Sequence, residues 1–199
     1  ITREVKTGKW QEWNKNGTLI KQNNYLAGKE NGKQEGWFEN GQKSFESNMF
    51  NNLPKGQLIR YHNNGKLNVK YNQYSTDYDK SPYRYYYDGS YEEYDMNGVP
   101  KTIGSYVNGL KTGKWLQYYN GKISEESEYL KGRFINKHIA YYPNGKLQLS
   151  ENYKSFTVNG KDTTLLDGPY FRYYDDGSIH IQCVYKEGKA VDNTNQSFY

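Results

Sequence analysis

Three histidines, one cysteine and one pair of alternating glutamates are the groups from which this 199-residue chain would have to build a reactive centre. His62, His138 and His180 lie far apart, and no His-x-x-x-His or Cys-x-x-Cys spacing occurs. A zinc centre is therefore not expected, and neither a metal nor a cofactor is assigned. Cys183 is the single cysteine, so no intramolecular disulfide forms, and without a paired base it reads as structural. In Ser124–Glu128, Glu126 and Glu128 alternate and would share one face of a strand. Paired carboxylates cleave glycosidic bonds when they flank a cleft. Here the equivalent positions in other repeats hold Gln, Lys and Ser, which makes a solvated face the expected role. Both the dinucleotide-binding glycine pattern and the phosphate-binding loop pattern are missing. No catalytic residue is assigned, and the chain is expected not to be an enzyme.

The chemistry that the composition does favour is recognition. The chain holds 23 Tyr and 4 Trp, while fewer than one residue in five is Leu, Ile, Val or Phe. Such a chain builds a thin core from rings with polar tips rather than a thick aliphatic one. Residues 72–89 concentrate Tyr74, Tyr78, Tyr83, Arg84, Tyr85, Tyr86 and Tyr87. Tyr and Arg are enriched where proteins bind one another, so these seven are the partner-binding candidates. The competing reading is an irregular hairpin whose tyrosines cover the adjoining core. Net charge is +5, and residues 1–71 carry a balance of +6. That charge is diffuse, with no basic block of the kind that binds nucleic acid, so nucleic acid is not an expected partner. It does motivate weak, salt-sensitive attraction to an anionic lipid surface. No apolar run reaches the ~20 residues that span a bilayer.

These side chains are positioned by a repeat. Asn-Gly or Asp-Gly recurs with its glycine at Gly17, Gly41, Gly65, Gly98, Gly121, Gly145 and Gly177. The intervals are 24, 24, 33, 23, 24 and 32 residues. Asn-Gly is the strongest short hairpin signal, and a type I′ turn is expected at each site. Four residues before the glycine stands an aromatic: Trp13, Trp37, Tyr61, Tyr94, Tyr141 and Tyr173, with Tyr118 three before in the shorter unit. Ile179, Ile181, Cys183 and Tyr185 alternate with polar or exposed neighbours, the period of a half-buried strand. Each unit is thus strand, tight turn, strand, followed by a Gly-rich link. One of two rows is expected to be core: the aromatics four before the glycine, or their neighbours Phe38, His62, Tyr142 and Tyr174. The other row would then line a groove for a peptide, a glycan or a lipid headgroup.

The expected fold is all-β: an elongated single-domain array of about seven antiparallel β-hairpin repeats of ~24 residues, each covering its neighbour's rings. It spans residues 1–199, with insertions near 72–88 and 154–167 and a frayed tail near 192–199. The second insertion, which contains Asn159-Gly160, reads as a longer hairpin.

The stretch YVNGLKTGKWLQYYNGKI, Tyr106 to Ile123, resembles the MORN repeat (membrane occupation and recognition nexus), in the variant common in bacterial proteins. YLAGKENGKQEGWFENG is a looser copy. Gly109, Gly113, Trp115 and Tyr118 fall on the family's scaffold positions. The resemblance implies hairpin arrays used for protein–protein contact, association with acidic phospholipids in some members, and an antitoxin-like role beside a toxin protein in some bacterial relatives. It implies no catalytic residue. The chain departs from the pattern at Lys43, where other units place an aliphatic residue, and at Asn136, where others open with Gly. The expected function is a non-enzymatic scaffold for another protein, with peripheral association to anionic lipid or envelope as the alternative and an antitoxin-like partnership as the second. Open strand edges leave edge-to-edge pairing with another copy open, and the oligomeric state unassigned. The start at Ile1 rather than Met is read as a processed end, with a secreted or cell-envelope location expected and a cytoplasmic one as the alternative.

Overall fold

The computed structural model describes residues 5–75, 86–158 and 160–192. Every regular element among them is a β-strand, as the alternating pattern requires. No helix among the described residues is long and apolar enough to cross a membrane. The chain divides into two compact units, residues 1–99 and 100–199. The first holds β1 (Gly8–Trp13), β2 (Leu19–Leu26), β3 (Lys29–Trp37), β4 (Lys43–Phe50), β5 (Leu53–Tyr61), β6 (Leu67–Tyr74) and β7 (Tyr86–Tyr94). The second holds β8 (Pro100–Val107), β9 (Leu110–Tyr119), β10 (Lys122–Leu130), β11 (Arg133–Tyr141), β12 (Leu147–Val158), β13 (Lys161–Leu166), β14 (Gly168–Tyr173), β15 (Ile179–Lys186) and β16 (Lys189–Asp192). Within each unit neighbouring strands pair antiparallel, giving the expected hairpin-repeat architecture. The exception in order is β13. It pairs with the far half of β12, from Tyr153 to Val158, while β14 takes Leu149 and Ser150. The second insertion is therefore the longer hairpin that its sequence suggests.

The turns differ from expectation. The left-handed backbone a type I′ turn needs at both central residues is found at Asn120 (φ 48°) and Gly121 (φ 75°). At the other six sites only the glycine is left-handed, and a three-residue loop forms instead. Phe38 N donates to Gln42 O and Gly41 N to Phe38 O, and the register slips by one beside Trp37. This is a type I turn closed by a left-handed glycine in a bulge. The two-residue loop at Asn120-Gly121 explains why that unit is one residue short. Type I′ geometry appears instead in the links. Ala27-Gly28, Asn51-Asn52, Asn108-Gly109, Lys131-Gly132 and Glu187-Gly188 are all left-handed at both positions. The links are thus hairpins themselves, and the chain meanders without a break in pairing across them. Asn136 stands at φ 55°, the conformation that Asn tolerates best after Gly.

The asparagine of the turn has a different task from the expected one. Asn40 Oδ1 accepts from Gln42 N, and Nδ2 donates to Asn63 O in the next turn at 2.7 Å. Asn64 repeats this with Lys66 N and Met96 O, and Asn144 with Lys146 N and Asp175 O. One amide closes its own loop and ties it to the following one.

The core is thin, as the composition predicts. Among the described residues the buried apolar side chains are Leu58, Trp115 and Cys183. Neither aromatic row near the turns supplies them. Trp13 is 53% exposed, and Trp37, Tyr61, Tyr94, Tyr118, Tyr141 and Tyr173 are half-buried. The buried row lies six residues after the turn glycine: Asn23, Ser47, Gly104, Ser127, Glu151 and Cys183, with the bulkier Tyr71 half-buried. Small residues there let rings from neighbouring strands lie flat on the sheet. Trp115, 2% exposed, covers Gly104, meets Tyr106 edge-on at 4.9 Å and donates Nε1–H to Ser105 O at 3.1 Å. Lys111 Nζ sits 4.2 Å from the Trp115 ring centre and 4.9 Å from that of Tyr129, a cation above two π faces. Tyr129, Phe134 and Tyr153 continue the row at 4.7 and 5.3 Å.

A methyl group on Gly104 would overlap the Trp115 ring. Gly104→Ala is expected to cost about 1–3 kcal/mol through overpacking, and Trp115→Ala about 3–5 kcal/mol through the cavity it leaves. Urea unfolding of the full chain measures both, and an unchanged midpoint in either variant would contradict this packing.

Candidate interaction surfaces

A β-strand turns alternate side chains to opposite faces, so the tyrosines at the base of the first insertion split into two groups. Gln73 pairs with Tyr87, and Tyr74 with Tyr86. Tyr74 and Tyr86 stack at 5.8 Å. On the opposite face Tyr87 meets Tyr71 edge-on at 4.8 Å and Tyr91 at 6.1 Å. Tyr71 and Tyr91 stack in parallel at 6.0 Å. Tyr87 remains 37% exposed. Of the seven partner-binding candidates, the structure thus places Tyr74, Tyr86 and Tyr87. Tyr78, Tyr83, Arg84 and Tyr85 lie outside the described residues.

In each unit, on the face away from the buried row, charges organise around glutamates and tyrosine hydroxyls. Glu35 and Glu46 are each bridged by Lys33 and Lys43 at 2.8–3.2 Å, and Tyr61 OH donates to Glu46 at 2.9 Å. Burial opposes ionisation of Glu46, but the hydrogen bonds from Lys33, Tyr61 and Lys43 outweigh it and bring its pKa to about 2. Glu126 pairs with Lys114 at 2.6 Å and accepts from Tyr141 OH at 3.3 Å. Lys43, at the position that departs from the repeat pattern, is therefore a member of an ion-pair network. The Lys114 bond holds the Glu126 carboxyl below its ordinary value. Glu128 accepts instead from Asn136. The two alternating glutamates share a face but serve separate partners, so they form no acid–base pair.

The least expected group is His138. Its side chain is 13% exposed and lies between Glu125 and Glu151, on the face that carries Trp115. Nδ1 bonds Glu151 Oε1 at 2.7 Å. Nε2 lies 3.2 Å from Glu125 Oε1 with poor hydrogen-bond alignment, so that contact is ionic. Glu125 first, then Glu151, raises the imidazole pKa to about 9 against the opposing effect of burial. Tyr153 OH also donates to Glu151 at 3.0 Å. Phe134 stacks on the imidazole at 4.9 Å. The three charged residues come from β10, β11 and β12, at unrelated repeat offsets, and no sequence spacing announces them. His62 and His180 take other places: His62 Nε2 lies 3.0 Å from Tyr94 O, and His180 packs on Tyr174 at 4.4 Å. No cluster of His, Cys, Asp or Glu among the described residues is arranged to hold a metal ion.

Along the turn edge of the second unit run two open grooves. The first, about 340 Å³, lies between the fifth and sixth turns and is lined by Tyr118, Tyr119, Ile123, Tyr141, Tyr142 and Pro143 among others. The second, about 400 Å³, lies between the sixth and seventh turns, lined by Tyr142, Pro143, Asn144, Tyr174 and Asp175.

Antiparallel hairpins stacked one on the next through backbone pairing within each unit define a β-hairpin repeat protein. The sequence model of the MORN repeat variant matches at residues 6–27, 136–155 and 166–187. At these three stretches the chain is similar to that repeat, and proteins built from it are generally binding or scaffold modules. No curated protein matches the chain.

Because His138 gains its proton affinity on folding, its contribution is complete below the ordinary histidine value of about 6.5 and is lost as pH rises through about 9. The Glu125 carboxyl is held low by His138, so its own contribution is lost as pH falls through the acid range. The second unit is expected to be most stable near pH 5–6. By linkage the loss towards pH 10 is at most about 3 kcal/mol, reduced by the water reaching Glu125. Urea midpoints between pH 6 and 10 test this, and His138→Gln should flatten the profile.

Proposed function

We propose that this protein is a non-enzymatic scaffold that binds another protein through the tyrosine surface at the base of the first insertion. The observation that carries the reading is the five-tyrosine cluster of Tyr71, Tyr74, Tyr86, Tyr87 and Tyr91, spread over both faces of two paired strands. Tyrosine presents a large rigid face with few rotors to freeze, which is why it recurs at binding hot spots. The stacking of Tyr71 on Tyr91 supports the rings from within, while Tyr87 keeps part of its face open to solvent. Binding at this surface needs no reactive group and no enclosed cavity.

The test compares the full chain with a variant in which residues 76–84 are removed and Tyr74, Tyr86 and Tyr87 are replaced by Ser, both immobilised and exposed to extract of the native organism. The expected result is one protein retained by the full chain and lost from the shortened one, with binding reconstituted from purified components and unfolding midpoints unchanged. Sedimentation of the full chain with phosphatidylserine vesicles at low salt, without any retained protein, would replace this reading by peripheral membrane association.

A further inference from the structure

The turn-edge grooves of the second unit have a period. Three Tyr-Tyr pairs precede successive turns there: Tyr118-Tyr119, Tyr141-Tyr142 and Tyr173-Tyr174. The four turns of the first unit carry no such pair. Each hairpin advances the sheet by two strands, about 9.6 Å. A polyproline II helix repeats every three residues, about 9.3 Å. We propose that this edge binds a proline-rich segment in polyproline II form, one proline-bearing turn seated in each groove.

Three observations on the lining favour this occupant. The apolar side chains are accessible, since Tyr119 is 56% exposed, Tyr174 40% and Ile123 36%. Two of the lining's hydrogen-bonding groups are spent within the protein. Tyr142 OH donates to Tyr173 O at 2.7 Å, and Asn144 uses Nδ2 on Asp175 O and Oδ1 on Lys146 N. The exposed ring faces suit proline, a residue with no N–H to pair. Finally, exposed Lys122 stands at the first groove and exposed Asp175 at the second. These opposite charges lie on hairpins about 19 Å apart, the length of roughly six polyproline residues. The segment therefore carries an acidic residue at one end and a basic residue about six positions along.

This site is separate from the tyrosine cluster of the first unit, so either proposal survives failure of the other. The probe is a fluorescein-labelled peptide, EPPAPPR, titrated against the full chain by fluorescence anisotropy. Saturable binding is expected, weakened about tenfold by Tyr119→Ala or Tyr174→Ala, both exposed positions whose loss leaves the unfolding midpoint in place. Lys122→Glu should weaken EPPAPPR and restore affinity for RPPAPPR. No saturable binding, equal affinity for the flexible control EGGAGGR, or indifference to both tyrosine changes overturns the proposal. Saturable binding of cellohexaose, with the same tyrosine dependence and none of EPPAPPR, overturns it in favour of a glycan site.

Discussion

The hydrogen-bonded seam between one hairpin and the next is the constraint on which the rest of this structure depends. A lone hairpin is marginal in water, and these hairpins bury few aliphatic side chains with which to compensate. Their cohesion comes from backbone ladders that continue through the links, and from turn asparagines that reach the following turn. Asn40, Asn64 and Asn144 each satisfy their own loop with the oxygen and bind the next loop with the nitrogen. A residue that reads as a local turn signal therefore also acts between repeats. Aspartate at the same position, as in Asp176, closes its loop but has no amide to donate onward.

Each face of the sheet solves a different problem. On the Trp115 face, Gly104 and Ser127, six after their turn glycines, make room for rings and for Lys111, whose charge is offset by two π faces. On the opposite face, glutamates are enclosed enough to need partners and exposed enough to keep water. Lys33 and Lys43 are half or one-third exposed beside Glu35 and Glu46. Pairs of this kind contribute modestly to stability but fix which strand lies beside which. His138 is the exception, since its charged partners lie on the ring face. The same scaffold thus tolerates a protonated imidazole in an aromatic row because Glu125 and Glu151 approach from both sides.

The arrangement shapes what the protein can do. Among the described residues its accessible features are edges and ridges that recur with the hairpins, the kind of surface a binding or scaffold module presents. The recurrence also means that departures from the repeat, such as the tyrosine-rich insertion and the paired tyrosines of the second unit, are where specificity can reside.

Strand identity, the seven Asn-Gly or Asp-Gly turns, the extra hairpin of the second insertion and the thin aromatic core were all legible in the sequence. They depend on two-residue alternation and turn residues, which are local properties. Turn type was legible only in part. Asn-Gly permits both a type I′ turn and a three-residue loop with a left-handed glycine, and the dipeptide alone does not choose between them. Which row would be buried was likewise beyond the sequence, because burial depends on register across strands and on the bulges beside Trp37 and Tyr61. The His138 cluster and the two turn-edge grooves lay further still from view. Each joins residues from separate strands, and their distances exist only once antiparallel pairing has set side by side what the chain holds apart.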